Sequence, residues 1–194
     1  IDKARADKSE PIKVAIIEDH KKFREALEFL LNHTPGYQCV GSFRSMEEAL
    51  EKIKFNLPDV ALVDIGLPGM SGVEGVGILK ERFPSVVLLM NTVYDDDERI
   101  FKALCAGASG YLLKKASPAR LIASLKEAMD GGAPMSPEVA RRVLALFREI
   151  RPPEHEEYQL TPHELRLLKL LVEGHSYKTA ATKLGVSVKT ISFH

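Results

Sequence analysis

Four short apolar runs in this 194-residue chain end on residues able to do chemistry: Glu18-Asp19, Asp64, Asn91-Thr92 and Lys114. Together they supply three carboxylates, a hydroxyl and an ammonium. Asp64 is the most telling, because it closes the run Val60-Ala-Leu-Val63 and is followed at once by Gly66, Pro68, Gly69 and Gly72. A charge beside a buried strand is costly unless something pairs with it. Asp64 therefore either caps or solvates a strand end, or reacts there. Three carboxylates brought close raise one another's pKa unless a cation compensates. Oxygen-only ligands suit a hard ion such as Mg²⁺, which keeps some waters and accepts a phosphate oxygen. A carboxylate beside such an ion can attack a phosphoryl group and become an aspartyl phosphate. The metal, Lys114 and the Thr92 hydroxyl would then hold the three transferred oxygens, the positioning and electrostatic work that phosphoryl transfer needs. Gly66 can offer its backbone carbonyl to the metal, and the Gly/Pro-rich turn leaves the Asp64 carboxylate open to donor and water.

A repeated β/α pattern would bring these residues together. Ile12–Ile17 is a β-type run, and Lys21–Leu31 carries Phe23, Leu27, Leu30 and Leu31 at helical spacing. Cys39–Phe43 is a short strand, and Ser45 caps a helix with Met46, Ala49, Leu50 and Ile53. Val60–Val63 is strand, Val73–Arg82 helix, Val86–Met90 strand, Asp96–Ala106 helix, Gly110–Leu113 strand and Pro118–Met129 helix. Ser117-Pro118 opens that last helix and Gly131-Gly132 ends it. Five β/α repeats with nearly all-apolar strands imply an α/β fold, a parallel sheet covered by helices on both faces. Ligands of such sheets bind beyond the carboxyl ends of the strands, where the polar residues fall.

The pattern changes after residue 130. Ser136-Pro137-Glu138 caps one helix with Val139, Val143, Leu146 and Phe147 along a side, and Arg151-Pro-Pro-Glu-His-Glu-Glu157 reads as a linker. Three short helical segments and no strand follow. Thr161-Pro162-His163-Glu164 is a capping box that opens a helix ending at Gly174. Tyr177–Leu184 is a second helix, Gly185-Val186 a tight turn, and Ser187 the cap of a third. Helix, turn, helix is the arrangement whose second member enters a DNA major groove; a helical bundle for protein contacts is the other reading. The expected organisation is a disordered leader over 1–11, an α/β domain over 12–130, a linker with one helix over 131–157 and a small helical domain over 158–194.

Charge supports the division. Residues 1–130 carry 18 Lys+Arg against 20 Asp+Glu, and residues 131–194 carry 9 against 7. Residues 174–194 hold Lys178, Lys183 and Lys189 and no acid, a locally basic stretch that points to a nucleic-acid face. No apolar run approaches the ~18 residues of a membrane span. Cys39 and Cys105 sit in apolar patterns and read as buried thiols in a reducing cytoplasm.

Taken jointly and in order, Glu18-Asp19, Asp64-Ile-Gly-Leu-Pro-Gly-Met-Ser-Gly72, Thr92 and Gly110-Tyr-Leu-Leu-Lys114 resemble a bacterial response-regulator receiver domain over about residues 12–130. The resemblance implies a flavodoxin-like (β/α)5 fold; the strand order 2-1-3-4-5 comes with it and is not read from spacing. It makes Asp64 the phosphoacceptor, Glu18 and Asp19 the metal-holding acids, Mg²⁺ the cofactor, and Thr92, Tyr111 and Lys114 the switch set. A sensor histidine kinase would be the donor. Phosphorylation would draw Thr92 inward, shift Tyr111 and remodel the face of the fourth helix and fifth strand.

Leu160-Thr-Pro-His-Glu164, Leu170-Leu-Val-Glu-Gly174 and Ser187-Val-Lys-Thr-Ile-Ser-Phe-His194 are similar to the LuxR-type DNA-binding domain. Over nearly its whole length the chain thus resembles a NarL/FixJ-type transcription regulator: cytoplasmic, bound to promoter DNA, a homodimer on activation, and no enzyme beyond assisting its own phosphorylation and dephosphorylation. Lys189 and Thr190 are the expected DNA contacts, with Lys178 and Lys183 as phosphate contacts. The alternative is a receiver whose helical domain binds protein. Ser192 stands where the family often has a basic residue. The sequence also stops at His194, before the family's remaining recognition turns and final helix. A chain ending there is expected to bind DNA weakly and unselectively, with a log–log salt slope of at most roughly −3.

Other readings are weaker. Singly, Glu18-Asp19 would cap the next helix, Lys114-Lys115 would be a surface pair, Thr92 a loop hydroxyl and Tyr111 a half-buried strand aromatic. Phosphatases of the haloacid-dehalogenase type resemble Asp-x-Asp, and Gly66 occupies the place of their second acid. Gly72-Val-Glu-Gly75-Val-Gly77 has dinucleotide-loop spacing reversed, and His163-Glu164 lacks the second His of a zinc-protease helix. Asp95-Asp96-Asp97-Glu98 reads as first-turn acids favoured by the helix dipole.

Overall fold

The computed structural model describes residues 10–149, 166, 169–170 and 177–184. The chain divides into two compact units, Ile1–Glu149 and Ile150–His194. The first is built from β1 (Ile12–Ile17), α1 (Lys21–Asn32), β2 (Tyr37–Phe43), α2 (Met46–Lys52) with a 3₁₀ turn at Ile53–Phe55, β3 (Val60–Val63), α3 (Gly72–Arg82), β4 (Val87–Thr92), α4 (Asp97–Cys105), β5 (Gly110–Leu113), α5 (Pro118–Met129) and α6 (Pro137–Glu149). In the second unit, helix α7 spans Tyr177–Leu184. Most of the leader over 1–11, the helix expected after Thr161 beyond three of its positions, the turn at 185–186 and the helix from Ser187 lie outside the described residues.

The strands form one parallel sheet in the order β2-β1-β3-β4-β5. Alternation along each strand feeds two cores. Val14, Ile16, Val60, Leu62, Leu89 and Leu112 face α1 and α5, meeting Leu27, Leu31, Leu121 and Leu125. Ala15, Ile17, Ala61, Val63, Leu88, Met90 and Tyr111 face the opposite way, meeting Met46, Val76, Leu79 and Ile100. Each fully buried Leu or Ile contributes roughly 1.5–3 kcal/mol relative to exposure, and this double burial is why the strands read as continuous apolar runs.

Local chemistry sets the boundaries. β2 starts two residues before the expected Cys39, because Tyr37 pairs with Ile12 and its phenol donates to the Ile122 carbonyl at 3.2 Å. β4 runs on to Thr92, whose carbonyl accepts from the Lys114 amide at 2.9 Å. Ser45, Ser71, Asp96 and Ser117 cap α2, α3, α4 and α5 through their side chains, and Ser71 forms a full capping box with Glu74. α1 is capped by His20, whose ring accepts from the Phe23 amide; Glu18 and Asp19 are thereby left for other work. Gly72 opens α3 hard against the end of β3, where a Cβ would run into the Asp64 carbonyl oxygen.

The cysteines correct one expectation. Cys39 is half-buried and Cys105 is exposed, because Cys105 falls outside the buried Ile100–Ala103 stripe of α4. No helix among the described residues is long and apolar enough to cross a membrane.

Beyond α5 the chain returns to the sheet. Tyr111 donates to the Pro134 carbonyl at 3.0 Å and accepts from the Ser136 amide at 3.1 Å, and Ser136 Oγ accepts from the Leu113 amide at 3.0 Å. Residues 134–136 thus lie along the outer edge of β5. α6 then packs on α4, with Val139 fully buried in the core that holds Tyr111 and Ile100.

Candidate functional site

The carboxyl ends of β1, β3, β4 and β5 bring the expected residues to one place. Lys114 Nζ lies 2.7 Å from Asp64 Oδ2 and 2.7 and 2.9 Å from the two Glu18 oxygens. Asp19 completes the acid set, with one oxygen from each of Glu18, Asp19 and Asp64 within 4.8 Å of the others. Glu18 and Asp64 are 2% and 5% exposed, whereas Asp19 faces solvent. Gly66, two residues past Asp64, is exposed in the turn.

One ammonium does not balance three carboxylates. Asp64 Oδ1 is buried and has no hydrogen-bond partner, and a buried anion without a partner is costly. A hard divalent cation among these oxygens would remove both the charge excess and the orphaned acceptor. The residues therefore fit such an ion. The electrostatics agree. Burial raises the Glu18 pKa above its ordinary range, more than its hydrogen bond and charge contact with Lys114 lower it. Burial would lower that of Lys114, but its bonds to Asp64 and Glu18 outweigh it and hold the ammonium firmly protonated.

Thr92 and Tyr111 are both fully buried, and both meet the residue Tyr94. The Thr92 hydroxyl oxygen lies 3.5 Å from the Tyr94 amide, and the Tyr111 phenol donates to the Tyr94 carbonyl at 2.8 Å. Burial pushes the Tyr111 phenol far up, so it stays a donor.

Residue types alone missed three participants. Tyr94 packs against Gly66, where a Cβ would lie 3.2 Å from its ring, and Arg99 stacks on it at 4.3 Å. Arg24 donates to the Glu18 carbonyl at 2.6 Å and to the Asp19 carbonyl at 3.2 Å, bracing the acid pair. Phe23 lies under Lys114, with Nζ 5.0 Å from its ring centre. The available signal was their position within six residues of an expected site residue. Phe23 also lines a cleft of about 150 Å³ beside Lys114 with Leu27, Leu30, Asn91 and Leu121. That is well below the ~300 Å³ of the smallest usual small-molecule pockets.

The expected DNA contacts are less accessible to description. Lys183 is exposed on α7; Lys189 and Thr190, and the Lys178 side chain, lie outside the described residues.

Comparison with known proteins bears on both units. The family described as "Response regulator receiver domain" matches residues 14–126, and "Bacterial regulatory proteins, luxR family" matches residues 158–194. The chain is 31% identical to the transcriptional regulatory protein DegU of Brevibacillus brevis, over 94% of this chain and 84% of that one. It is 32% identical to the nitrate/nitrite response regulator protein NarL of Escherichia coli K12, over 95% and 86%. Among solved structures, a LuxR-family two-component response regulator from Aurantimonas matches with a TM-score of 0.67 and 28% identity, over 71% of this chain and 99% of that one. The response regulator ChrA of a heme-sensing two-component system matches with a TM-score of 0.59 and 28% identity, over 96% and 87%.

Proposed function

The chain belongs to the NarL/FixJ-type response regulators, phosphorylation-dependent transcription regulators that join a receiver to a luxR-family DNA-binding domain, and from there we propose that Asp64 is the phosphoacceptor controlling its output. The observation that carries this reading is the pairing of Lys114 with both Asp64 and Glu18 while Asp64 Oδ1 is left without a partner.

The donor would be a phosphohistidine on a sensor histidine kinase. Asp64 forms the new P–O bond, the donor's P–N bond breaks, and the leaving imidazole takes up a proton. Glu18, Asp19, Asp64 and the Gly66 carbonyl would hold Mg²⁺, which supplies positive charge for the phosphoryl oxygens. Lys114 exchanges its bond to Asp64 for one to a phosphoryl oxygen, so a cation is already in place where charge develops. Thr92 reaches for another oxygen, and its move is passed to Tyr94 and from there to Tyr111. Lys114 and Thr92 assist only this transfer and the later hydrolysis, in which water takes the phosphoryl group, inorganic phosphate leaves and the Asp64 carboxylate is regenerated.

The output lies in residues 158–194, where Lys189 and Thr190 would meet base edges and Lys178 and Lys183 phosphates. Activation would favour a homodimer on promoter DNA, in the cytoplasm. An acyl phosphate donor with Mg²⁺ should add one acid-stable, hydroxylamine-labile phosphoryl group to the chain. Asp64→Asn should take up none, because an amide is a poor nucleophile. Undiminished labelling of that variant would move the acceptor elsewhere.

A further inference from the structure

Only three residues, Glu18, Asp19 and His20, separate the end of β1 from the start of α1, and two of them are acids of the strand-end cluster. A connection outside any strand or helix must be held from elsewhere if its carboxylates are to keep one geometry. Behind it, the Glu18 amide donates to the Phe43 carbonyl at 2.9 Å. Within it, His20 caps α1, and its amide donates to Glu18 Oε1 at 3.2 Å. The remaining tie is Arg24, in the first turn of α1. One guanidinium nitrogen, Nη1, donates to the Glu18 carbonyl at 2.6 Å and to the Asp19 carbonyl at 3.2 Å. Among the described residues no other group donates to either oxygen. Both bonds go to the main chain, so the cation fixes two successive peptide groups without occupying a carboxylate oxygen.

We propose that Arg24 is a positioning residue that makes the acid cluster rigid enough to prefer Mg²⁺ to Ca²⁺. The inference rests on Glu18, Asp19 and Asp64 being the metal ligands. Mg²⁺ demands near-ideal octahedral geometry at about 2.0–2.1 Å, whereas Ca²⁺ accepts looser sites with ligands at about 2.3–2.6 Å. Two of the acids are fixed by their surroundings: Glu18 and Asp64 are buried, and the Asp64 amide donates to the Ile17 carbonyl of β1 at 3.0 Å. Asp19 faces solvent, so its carboxylate is placed by its main chain, and that main chain is what Arg24 holds. A guanidinium suits the task because it stays charged and carries several donors in one plane. Its charge and its bonds act in opposite directions. As a cation near the cluster Arg24 repels any metal ion; as a brace it favours the ion that needs fixed ligands.

That opposition supplies the test. Mn²⁺ bound to the full chain is displaced by Mg²⁺ and, separately, by Ca²⁺, and the paramagnetic resonance signal of free Mn²⁺ is followed. Arg24→Met keeps the stem and loses both donors and charge. It should bind Mg²⁺ about five- to ten-fold more weakly than the parent, less than a whole charge-assisted hydrogen bond contributes. Ca²⁺ binding should change less than about two-fold, because that ion tolerates displaced ligands. Arg24→Lys keeps the charge without the planar guanidinium, so its loss of preference should be intermediate. It carries the comparison if thermal unfolding in chelator shows that the Met variant does not fold. Added Mg²⁺ should also raise the unfolding midpoint less in either variant than in the parent. Tighter binding of both ions by Arg24→Met would make Arg24 a repelling charge and nothing more. Equal weakening of both, or no change, would make it a general support or a bystander. Each of these results would overturn the inference while leaving the metal site in place. A parent chain that holds no Mn²⁺, or an Asp19→Asn variant that holds it equally well, would remove the metal site, and this inference with it.

Discussion

Two clusters of opposite charges stand on the same unit, and burial separates what each can do. At the strand ends, the side chains of Lys114, Glu18 and Asp64 are 15%, 2% and 6% exposed. On the α4–α6 surface, those of Arg142, Asp95 and Asp97 are 42%, 52% and 54% exposed. The shortest contacts are alike, 2.7 Å in the first cluster and 2.9 Å in the second, so distance is not the main difference. In the first cluster water cannot replace a lost partner, and breaking a pair strands a charge. In the second, solvent takes over at once and the pair is worth little. A site that stores an incoming group needs the first kind of charge.

The sharpest way to break this contrast is Lys114→Met, which leaves Glu18 and Asp64 facing each other without their cation. In the presence of a chelator it should cost about 3 kcal/mol in urea unfolding, and added Mg²⁺ should restore part of the loss. A cost below ~1 kcal/mol would mean that the strand-end cluster is as well solvated as the surface one. Asp96→Ala sits between the extremes. Asp96 caps α4 and pairs with Arg99 at 2.7 Å, so its loss should cost about 1 kcal/mol. Burial pushes its carboxyl up, but the bonds with Arg99 outweigh this and hold it below the ordinary 3.8. A depressed carboxylate stabilises the fold above that ordinary value and ceases to as pH falls through the folded one. Parent and variant should therefore converge in acid; a gap that persists there would assign the cost to lost packing instead. The smallest effect belongs to Arg142→Ala, which should cost at most about 0.5 kcal/mol at low salt and nothing measurable at high salt. A larger, salt-independent loss would show that the surface cluster is worth more than exposed ion pairs are.

The site was legible because parallel strands turn sequence order into spatial convergence. Glu18, Asp64, Thr92 and Lys114 each follow an apolar run, and the sheet places all such ends on one edge. Residue types then restricted the chemistry. The supporting residues were not legible in the same way, since Tyr94 and Arg24 act through main-chain atoms of the Thr92 loop and the Glu18-Asp19 pair. Backbone carbonyls and amides leave no mark in a residue pattern. The cap of α1 shows the same limit, because His20 outcompeted two acids better suited by type. α6 was visible as an amphipathic helix, yet amphipathy does not say what a helix covers. Its seat on α4 depends on Val139, Arg142 and the bonds of Ser136 acting together.

The pairing of residues 134–136 with β5 bears on how the protein keeps to itself. A parallel sheet has two flanks, and the flank at β5 is a four-residue apolar strand. Left bare, such a flank is a template for another chain's backbone. Here the outward-facing amides of Tyr111 and Leu113 and the carbonyl of Tyr111 are already engaged by Pro134 and Ser136, and Val139 is buried in the same core as Tyr111. A fragment cut after residue 130 would lose all of this and offer Gly110-Tyr-Leu-Leu113 as a sticky seam. It should self-associate at concentrations where a fragment running to residue 149 stays monomeric.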